Sequence, residues 1–229
     1  MSKRPRLVIV SPLDLALAAI GKAFKEEWPE GECVNLLDES LYADNDFHGE
    51  TPQVVRDRIV WLFNYGIDCG ADALAFTGSV FNPLIRELRK KVSKPVVTSF
   101  EGMIEEGFAA GKRIGVLSSA PQARDVLAAD VKTYAAEHGI ALELDARCAD
   151  GAFEALQGRD DRAEHDRLIV AEAGKMQDCD AILFAQFSMG LAAAQVSARP
   201  GQVVLTAPVT TVRKLRRVVE GAGAKAAAE

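Results

Sequence analysis

Small polar side chains directly follow the short apolar runs of this sequence. Neutral hydroxyls and amides, together with helix N-termini, can hold a small carboxylate or phosphate without a basic side chain. Gly78 would let the backbone approach such a ligand closely. The candidate ligand-binding residues are Ser11, Asp38, Thr77, Ser79, Ser118, Ser119 and Thr206, and further candidates that follow the strands are Gly78, Glu101, Gln186 and Ser188.

Each of these residues also has a purely structural interpretation. Ser11 and Ser118 could cap helices instead of binding a ligand. Asp38 could cap a loop, as could Asp145 after a later apolar run. Glu101 opens a predicted helix, where a carboxylate stabilises the helix dipole. The sequence therefore leaves the role of every candidate open.

Strand-like apolar runs alternate with longer amphipathic segments, which predicts parallel sheets covered by helices. Ser11-Pro12 and Thr51-Pro52 are interpreted as a helix cap followed by the first turn. The predicted strands are Arg6–Val10, Val34–Leu37, Ala73–Phe76, Pro95–Thr98, Arg113–Leu117, Ile140–Leu144, Ala181–Phe184 and Val203–Thr206. The predicted fold class is α/β, with four parallel strands in each of two similar lobes.

The two lobes follow from an internal repeat. Arg6–Ser11 matches Arg113–Ser118 at an offset of 107 residues, and Asp72–Phe76 matches Asp180–Phe184 at an offset of 108. We therefore expect a pseudo-twofold duplication with lobes at residues 1–105 and 106–208. The remaining residues, 209–229, are expected to form a helix that packs back on the first lobe and ends in a frayed tail. Ligands bind outside the carboxyl ends of parallel strands, so a shared seam at those ends is the predicted site.

Composition excludes several classes of protein. The chain has 229 residues, 48% of them hydrophobic, and a net charge of -6, which is typical of a globular protein and not of a nucleic-acid binder. The uncharged stretch 181–198 contains too many polar residues for a membrane helix, and no GxGxxG follows the first strand. We therefore expect a cytoplasmic protein with no cofactor, no metal, and neither nucleic acid nor membrane as a partner. A homodimer or higher homo-oligomer is compatible with the apolar helices.

The histidines and cysteines do not form a recognisable site in the sequence. His48 lies in a polar loop and is interpreted as a surface histidine, and His165 as part of a solvated helix face. The four cysteines, which are far apart, are interpreted as buried or half-buried thiols: Cys33, Cys69, Cys148 and Cys179.

The repeat and two of its segments resemble a known group of enzymes. ADALAFTGSVFNPLI at residues 71–85 and CDAILFAQFSMGL at residues 179–191 resemble the aspartate/glutamate/hydantoin racemase superfamily, which includes arylmalonate decarboxylase and maleate isomerase. The resemblance implies a cysteine after the third strand of each lobe, on opposite faces of the substrate α-carbon. Gly78 stands at the first of these positions, and Gln186 or Ser188 at the second. Neither position is a cysteine, so the two-thiol mechanism of the racemases is absent.

Three functions remain open on this sequence. The first is an enzyme of the racemase type that acts on a small carboxylic acid by isomerisation, racemisation or decarboxylation. Its acid and base would then be Glu101, Asp38, Asp145, or water held by Gln186 and Ser188. The second is a non-catalytic protein that binds a small carboxylate with a racemase fold. The third is an unrelated two-lobe binding fold.

Overall fold

The apolar runs of the sequence form two four-stranded parallel sheets in the computed structural model, which describes residues 4–46 and 49–226. The first sheet has the order β2-β1-β3-β4 and the second the order β6-β5-β7-β8. The strands are β1 (Arg6–Ser11), β2 (Glu32–Leu37), β3 (Ala73–Phe76), β4 (Val96–Val97), β5 (Arg113–Ser118), β6 (Glu143–Cys148), β7 (Ala181–Phe184) and β8 (Val203–Thr206). The predicted fold class is confirmed.

Helices connect consecutive strands, and short 3-10 turns begin several of these connections. The α-helices are α1 (Leu17–Glu27), α2 (Ser40–Ala43), α3 (Gln53–Asp68), α4 (Asn82–Leu88), α5 (Glu101–Ala110), α6 (Pro121–His138), α7 (Ala152–Arg159), α8 (Arg162–Ala173), α9 (Gly190–Ala193) and α10 (Ala207–Ala226). None of the helices among the described residues is both long enough and apolar enough to cross a membrane.

The chain forms two structural units, each with one of the sheets. The first unit contains the residues up to Ser99 and those from Thr211 onward, and the second contains Phe100–Thr210. In the first unit α3 packs Ile59 and Phe63 against the sheet, and the Phe63 ring meets the edge of Phe76 at 6.2 Å between centroids. The guanidinium of Arg213, on α10, binds the Glu27 carboxylate at 2.8 and 3.0 Å.

The sequence repeat is visible in equivalent hydrogen bonds of the two units. The backbone N–H of Arg6 donates to the Asp72 carboxylate at 2.8 Å, and that of Arg113 donates to the Asp180 carboxylate at 3.0 Å. Each aspartate stands directly before the third strand of its sheet. The offsets of 107 and 108 residues therefore reflect a repeated backbone arrangement.

One predicted strand is placed wrongly. The sixth strand is Glu143–Cys148 instead of Ile140–Leu144, and Arg113 aligns with Glu143 across the sheet. Gly139 ends α6 in the left-handed conformation, at φ 63°, so the apolar residues that follow it form the connection instead of the strand. Asp145 therefore lies inside β6 and does not follow it.

Both predicted proline-containing helix starts are also displaced. Ser11 ends β1 instead of capping a helix, and α1 begins only at Leu17, after a 3-10 turn. Pro52 itself precedes the first residue of α3, and no side chain caps that helix. The helix predicted within residues 209–229 begins earlier, at Ala207, and continues to Ala226.

Candidate functional site

The carboxyl ends of the strands in the second unit hold a bonded group of Ser118, Ser119 and Gln186. The backbone N–H and the hydroxyl of Ser119 both donate to Gln186 Oε1, each at 2.8 Å. The Ser118 hydroxyl lies 3.0 Å from the same oxygen and 2.8 Å from the carbonyl of Ala120. Ser118 and Ser119 are buried, whereas Gln186 is half-buried.

These bonds fix the orientation of the Gln186 amide. A backbone N–H can only donate, so the atom beside the Ser119 nitrogen must be the amide oxygen. The Nε2 group, with two N–H donors, then points away from the two serines. We call Ser118, Ser119 and Gln186 the amide bracket, since the serines hold the glutamine in a single orientation.

Two further candidates lie at the same end of the second sheet. Thr206 is the last residue of β8, and α10 begins at the next residue. A side chain at Gly111, after the end of α5, would overlap the Asp180 carboxylate, and one at Gly107 would meet Leu183 at 3.1 Å. The end of α5 therefore lies beside Asp180, just before β7, and Gly107 lies beside Leu183, farther along this strand. Helix α5 runs antiparallel to β7, so its first residue, Glu101, lies toward the carboxyl end of the strand.

Ser188 has a different environment from that of Gln186. It lies within the 3-10 turn Phe187–Met189, and its carbonyl accepts a hydrogen bond from the Arg162 guanidinium at 2.8 Å. Gln186 immediately precedes this turn, as Gly78 precedes the turn Ser79–Phe81 of the first unit. Gln186, and not Ser188, is therefore the structural equivalent of Gly78.

The corresponding strand ends of the first unit are packed more tightly. The Thr77 hydroxyl donates to that of Ser11 at 2.9 Å, and both residues are buried. The Ser99 hydroxyl donates to the Phe76 carbonyl at 2.8 Å. These hydroxyls bind other parts of the unit, whereas Ser79 is half-buried at the start of its turn.

Gly78 is confined by its neighbours. A Cβ at this position would lie 2.6 Å from Pro12 Cγ, 2.7 Å from a Phe76 ring carbon and 3.0 Å from Phe81. Its backbone has φ −85° and ψ 92°, which any residue can adopt. The constraint on Gly78 is therefore space and not backbone conformation.

The acidic candidates Asp38 and Asp145 have structural partners. Asp38 follows β2 and accepts hydrogen bonds from the backbone N–H and the hydroxyl of Ser40. Asp145 forms an ion pair with Arg147 at 2.9 Å inside β6. The contacts of Asp38 agree with its interpretation as a loop cap, whereas Asp145 lies inside β6 and does not cap a loop.

Residues 51–215 match the profile of the Asp/Glu/Hydantoin racemase family. The chain belongs to this family. The match spans the third strand of both units, including Gly78 and the amide bracket. The third hypothesis, an unrelated two-lobe fold, is therefore wrong.

Solved structures of racemases and decarboxylases share the fold of this family member. An allantoin racemase from Klebsiella pneumoniae is 14% identical over 94% of this chain and 88% of its own, with a TM-score of 0.67. A glutamate racemase from Bacillus anthracis is 12% identical over 96% and 84%, with a TM-score of 0.72. An arylmalonate decarboxylase is 17% identical over 95% and 93%, with a TM-score of 0.63. Among curated proteins, no sequence match is found.

One residue at the carboxyl ends of the strands, Cys148, is missed because the sixth strand is predicted at the wrong position. Cys148 is the last residue of β6 and aligns with Ser118 across the sheet. Burial raises the pKa of its thiol, and the nearby Asp150 carboxylate raises it further. The signal that would have located Cys148 is the pairing of Arg113 with Glu143, which a single sequence does not display.

The interpretation of His165 as a surface residue is wrong. The side chain is fully buried, and its Nδ1 lies 2.7 Å from the Asp166 carboxylate. No hydrogen-bond partner reaches its Nε2 within the described part of the chain. His48 lies outside the described residues. Across residues 4–46 and 49–226, no cluster of three or more His, Cys, Asp or Glu side chains could hold a metal ion.

Proposed function

We propose that this chain is an enzyme of the racemase family that acts on a small carboxylic acid, with an acid or base other than a cysteine pair. The observation that carries the proposal is the amide bracket. Its fixed Nε2 donors offer hydrogen bonds to one carboxylate oxygen, and charge-assisted bonds of this kind are about twice as strong as neutral ones. The reaction would be an isomerisation, racemisation or decarboxylation, all of which need a stabilised carbanion-like state.

The end of the second sheet offers further stabilisation for an anion. The first turn of α10 begins directly after Thr206, so the backbone N–H groups of Ala207 and Val209 lie at the carboxyl ends of the strands. Phe184 and Thr206 align across the sheet, which brings the start of α10 next to the segment that carries Gln186. The proposed carboxylate therefore meets both side-chain and backbone donors at this end of the sheet.

Glu101 is the residue we assign to proton transfer. Gln186 cannot take a proton from carbon, because an amide has no basic site of sufficient strength. Among the acidic candidates of the second unit, Asp145 lies inside β6 and does not follow the strand. Glu101 lies on α5, whose antiparallel course along β7 brings it to the end of the sheet where Gln186 and Thr206 stand.

The second candidate function is non-catalytic binding of a small carboxylate. The packing around Gly78 favours it, since neither a thiol nor any other side chain fits there without displacement of Pro12, Phe76 or Phe81. A protein of this kind would keep the amide bracket and would exchange no proton of the bound acid.

Hydrogen exchange at carbon distinguishes the two functions. The protein is incubated in heavy water with aspartate, glutamate and an arylmalonate, and deuterium uptake at the α-carbon is followed by NMR. We expect uptake on at least one of these compounds, with loss of the exchange but not of binding in Glu101→Gln. Glu105→Gln, on the same helix, serves as the matched control and should retain the exchange.

Binding by the amide bracket is tested separately by calorimetry with the same compounds. Gln186→Ala should raise the dissociation constant about ten- to a hundredfold, which corresponds to a lost hydrogen bond to a charged group of roughly 1.5–3 kcal/mol. Binding without exchange on any compound would favour the non-catalytic function. Unchanged affinity in Gln186→Ala would contradict both functions as described.

A further inference from the structure

One flank of α3 exposes large apolar side chains. Val54, Trp61 and Tyr65 are spaced four or seven residues apart along the helix, so they share one side of it. Their exposed fractions are 58%, 61% and 45%, and the rings of Trp61 and Tyr65 stack at 5.5 Å between centroids. We call these three residues the α3 flank. Arg58, within the same stripe, is neutralised by Asp44 at 2.9 Å.

The α3 flank lies on the side of α3 that is nearer to β2, at one edge of the first sheet. Arg58 reaches Asp44 and Ser40 in the segment that follows β2, while Arg56, on another side of α3, binds Glu87 of α4. β2 is one of the two edge strands of this sheet, and among residues 4–46 and 49–226 it pairs only with β1. An uncovered apolar helix flank and an open sheet edge therefore occur together.

The open edge of β2 can pair with a copy of itself. The N–H groups of Glu32 and Asp38 point to β1, so alternation directs those of Cys33, Asn35 and Leu37 to the free side. An antiparallel copy centred on Asn35 would pair Cys33 with Leu37 of the second copy and Asn35 with Asn35. Such a pairing has a twofold axis, as most homodimers do.

The inner side chains of β2 are also incompletely covered. Val34 and Leu36 pack against the core of the first unit but remain half-buried. The equivalent positions of β6, an edge strand of the second sheet, are Asp145 and Arg147, which form an ion pair. Charges at an edge discourage pairing with another sheet. Of these two equivalent edges, the charged side chains of β6 therefore discourage association, whereas the side chains of β2 permit it.

We propose that two copies of this chain associate through β2 and the α3 flank. The axis of an antiparallel β2 pair lies perpendicular to the joined sheet, so both α3 flanks come to the same face of it. There they add cover to the half-buried Val34 and Leu36 of both copies. With Tyr42, which is 37% exposed, the flank offers on the order of 400 Å² of apolar surface per copy. A standard interface needs about 800 Å² per partner, so this area would form its centre.

Asn35→Cys tests the pairing directly. Opposite residues of a hydrogen-bonded antiparallel pair have Cα atoms about 5.5 Å apart, which suits a disulfide. We expect the variant to form a covalent dimer on mild oxidation at pH 8. Burial raises the pKa of the native Cys33 thiol to about 11, which keeps it largely protonated at that pH. Ala146→Cys is the matched control, since Ala146 is exposed at the equivalent position of β6 and should give no covalent dimer.

Sedimentation over a range of protein concentrations tests the α3 flank. We expect the wild-type protein to be a dimer and Trp61→Lys to raise its dissociation constant at least about thirtyfold, as for a central aromatic residue of an interface. Leu191→Lys, at a residue 53% exposed in the second unit, should leave the dimer intact. Tyr65→Lys, with folding checked by circular dichroism, provides a second variant of the flank.

A monomeric wild-type protein at all concentrations would overturn the proposal. So would a dimer that persists in both Trp61→Lys and Tyr65→Lys, because its interface would lie elsewhere. Equal cross-linking of Asn35→Cys and Ala146→Cys would show random collision instead of β2 pairing, and would overturn the proposal as well.

Discussion

The edge strands β2 and β6 occupy the same place in two sheets of identical order, yet their side chains differ in kind. Val34 and Leu36 of β2 point to the face of the first sheet that α3 covers. The equivalent residues of β6 are Asp145 and Arg147. Arg147 also lies 3.5 Å from Glu172 on α8, so the charges of β6 are satisfied within the second unit. A repeated backbone thus leaves one edge apolar and one edge charged, and only side chains decide which edge can associate.

The two strand-end positions before the 3-10 turns differ just as clearly. Gly78 is enclosed by Pro12, Phe76 and Phe81, whereas its equivalent Gln186 is half-buried and held by hydrogen bonds. The first position has no room for a reacting group, and the second presents an oriented amide. The duplication has therefore preserved the backbone of both units while the chemistry of the strand ends has become unequal.

The largest effect is expected when the two edges exchange their side chains. Val34→Asp with Leu36→Arg should raise the dissociation constant of the proposed dimer more than about a hundredfold, because the new charges would lose water on association. Asp145→Val with Arg147→Leu should produce species larger than the wild-type protein, since β6 would become a second apolar edge. The loss of Arg147 would not leave the Glu172 carboxylate without an ion pair, because Glu172 also binds Lys175 at 2.6 Å. Sedimentation at matched concentrations measures both variants.

The edge comparison would fail if the Asp145→Val, Arg147→Leu variant were folded and unchanged in size. It would also fail if Val34→Asp with Leu36→Arg left the mass of the folded wild-type species unaltered.

A smaller effect is expected from a methyl group at Gly78. Gly78→Ala should lower the free energy of unfolding by about 1–3 kcal/mol, because the added carbon would overpack Pro12 and Phe76. Gly21→Ala is the control within the same unit, since its Cβ would meet nothing within 4 Å and alanine favours the helix α1. Urea unfolding at fixed protein concentration measures both. Equal stability of Gly78→Ala and the wild-type protein would mean that the pocket around Gly78 relaxes at no cost.

The smallest expected effect concerns the paired aspartates before the third strands. The Arg113 guanidinium binds Asp180 at 2.6 and 3.1 Å and holds the pKa of this carboxyl well below its usual range, and the Arg113 backbone N–H adds to the effect. Asp72, the equivalent residue, accepts a bond from the Arg6 backbone, while the Arg6 guanidinium binds Glu32 at 2.8 Å. Asp180→Asn should therefore destabilise the protein at neutral pH more than Asp72→Asn does.

The pH dependence gives the sign of the Asp180 contribution. Its folded pKa is lowered, so the stabilisation is present above the unfolded pKa near 4 and is lost as the pH falls through the folded value. The difference in unfolding free energy between the wild-type protein and Asp180→Asn should shrink as the pH falls from about 5 toward 2. Chemical unfolding at several pH values measures it, and a difference independent of pH would show that charge plays no part.

Strands with neighbours on both sides were predictable from the sequence. β1, β3, β5 and β7 are covered on both faces, so they appear as unbroken apolar runs such as Leu7–Val10, and their repeat gave the two-unit architecture. The edge strand β6 was misplaced, because a strand with one open side needs only part of its residues to be apolar. The shift moved Asp145 into the list of candidate carboxylates and left Cys148 out of consideration at the strand ends.

The sequence by itself determined the α/β class, the repeat and the polar residues that follow the strands, because these depend on periodicity and spacing along the chain. The family resemblance rests on the residues of two segments, 71–85 and 179–191. Only the tertiary structure decided that Gly78 has no space for a side chain, that Gln186 has one amide orientation and that His165 is buried. Each of these properties depends on atoms that come from distant parts of the sequence, such as Ser119 beside Gln186. Packing and hydrogen bonding between such segments leave no periodic signal, so they become visible only when the chain is folded.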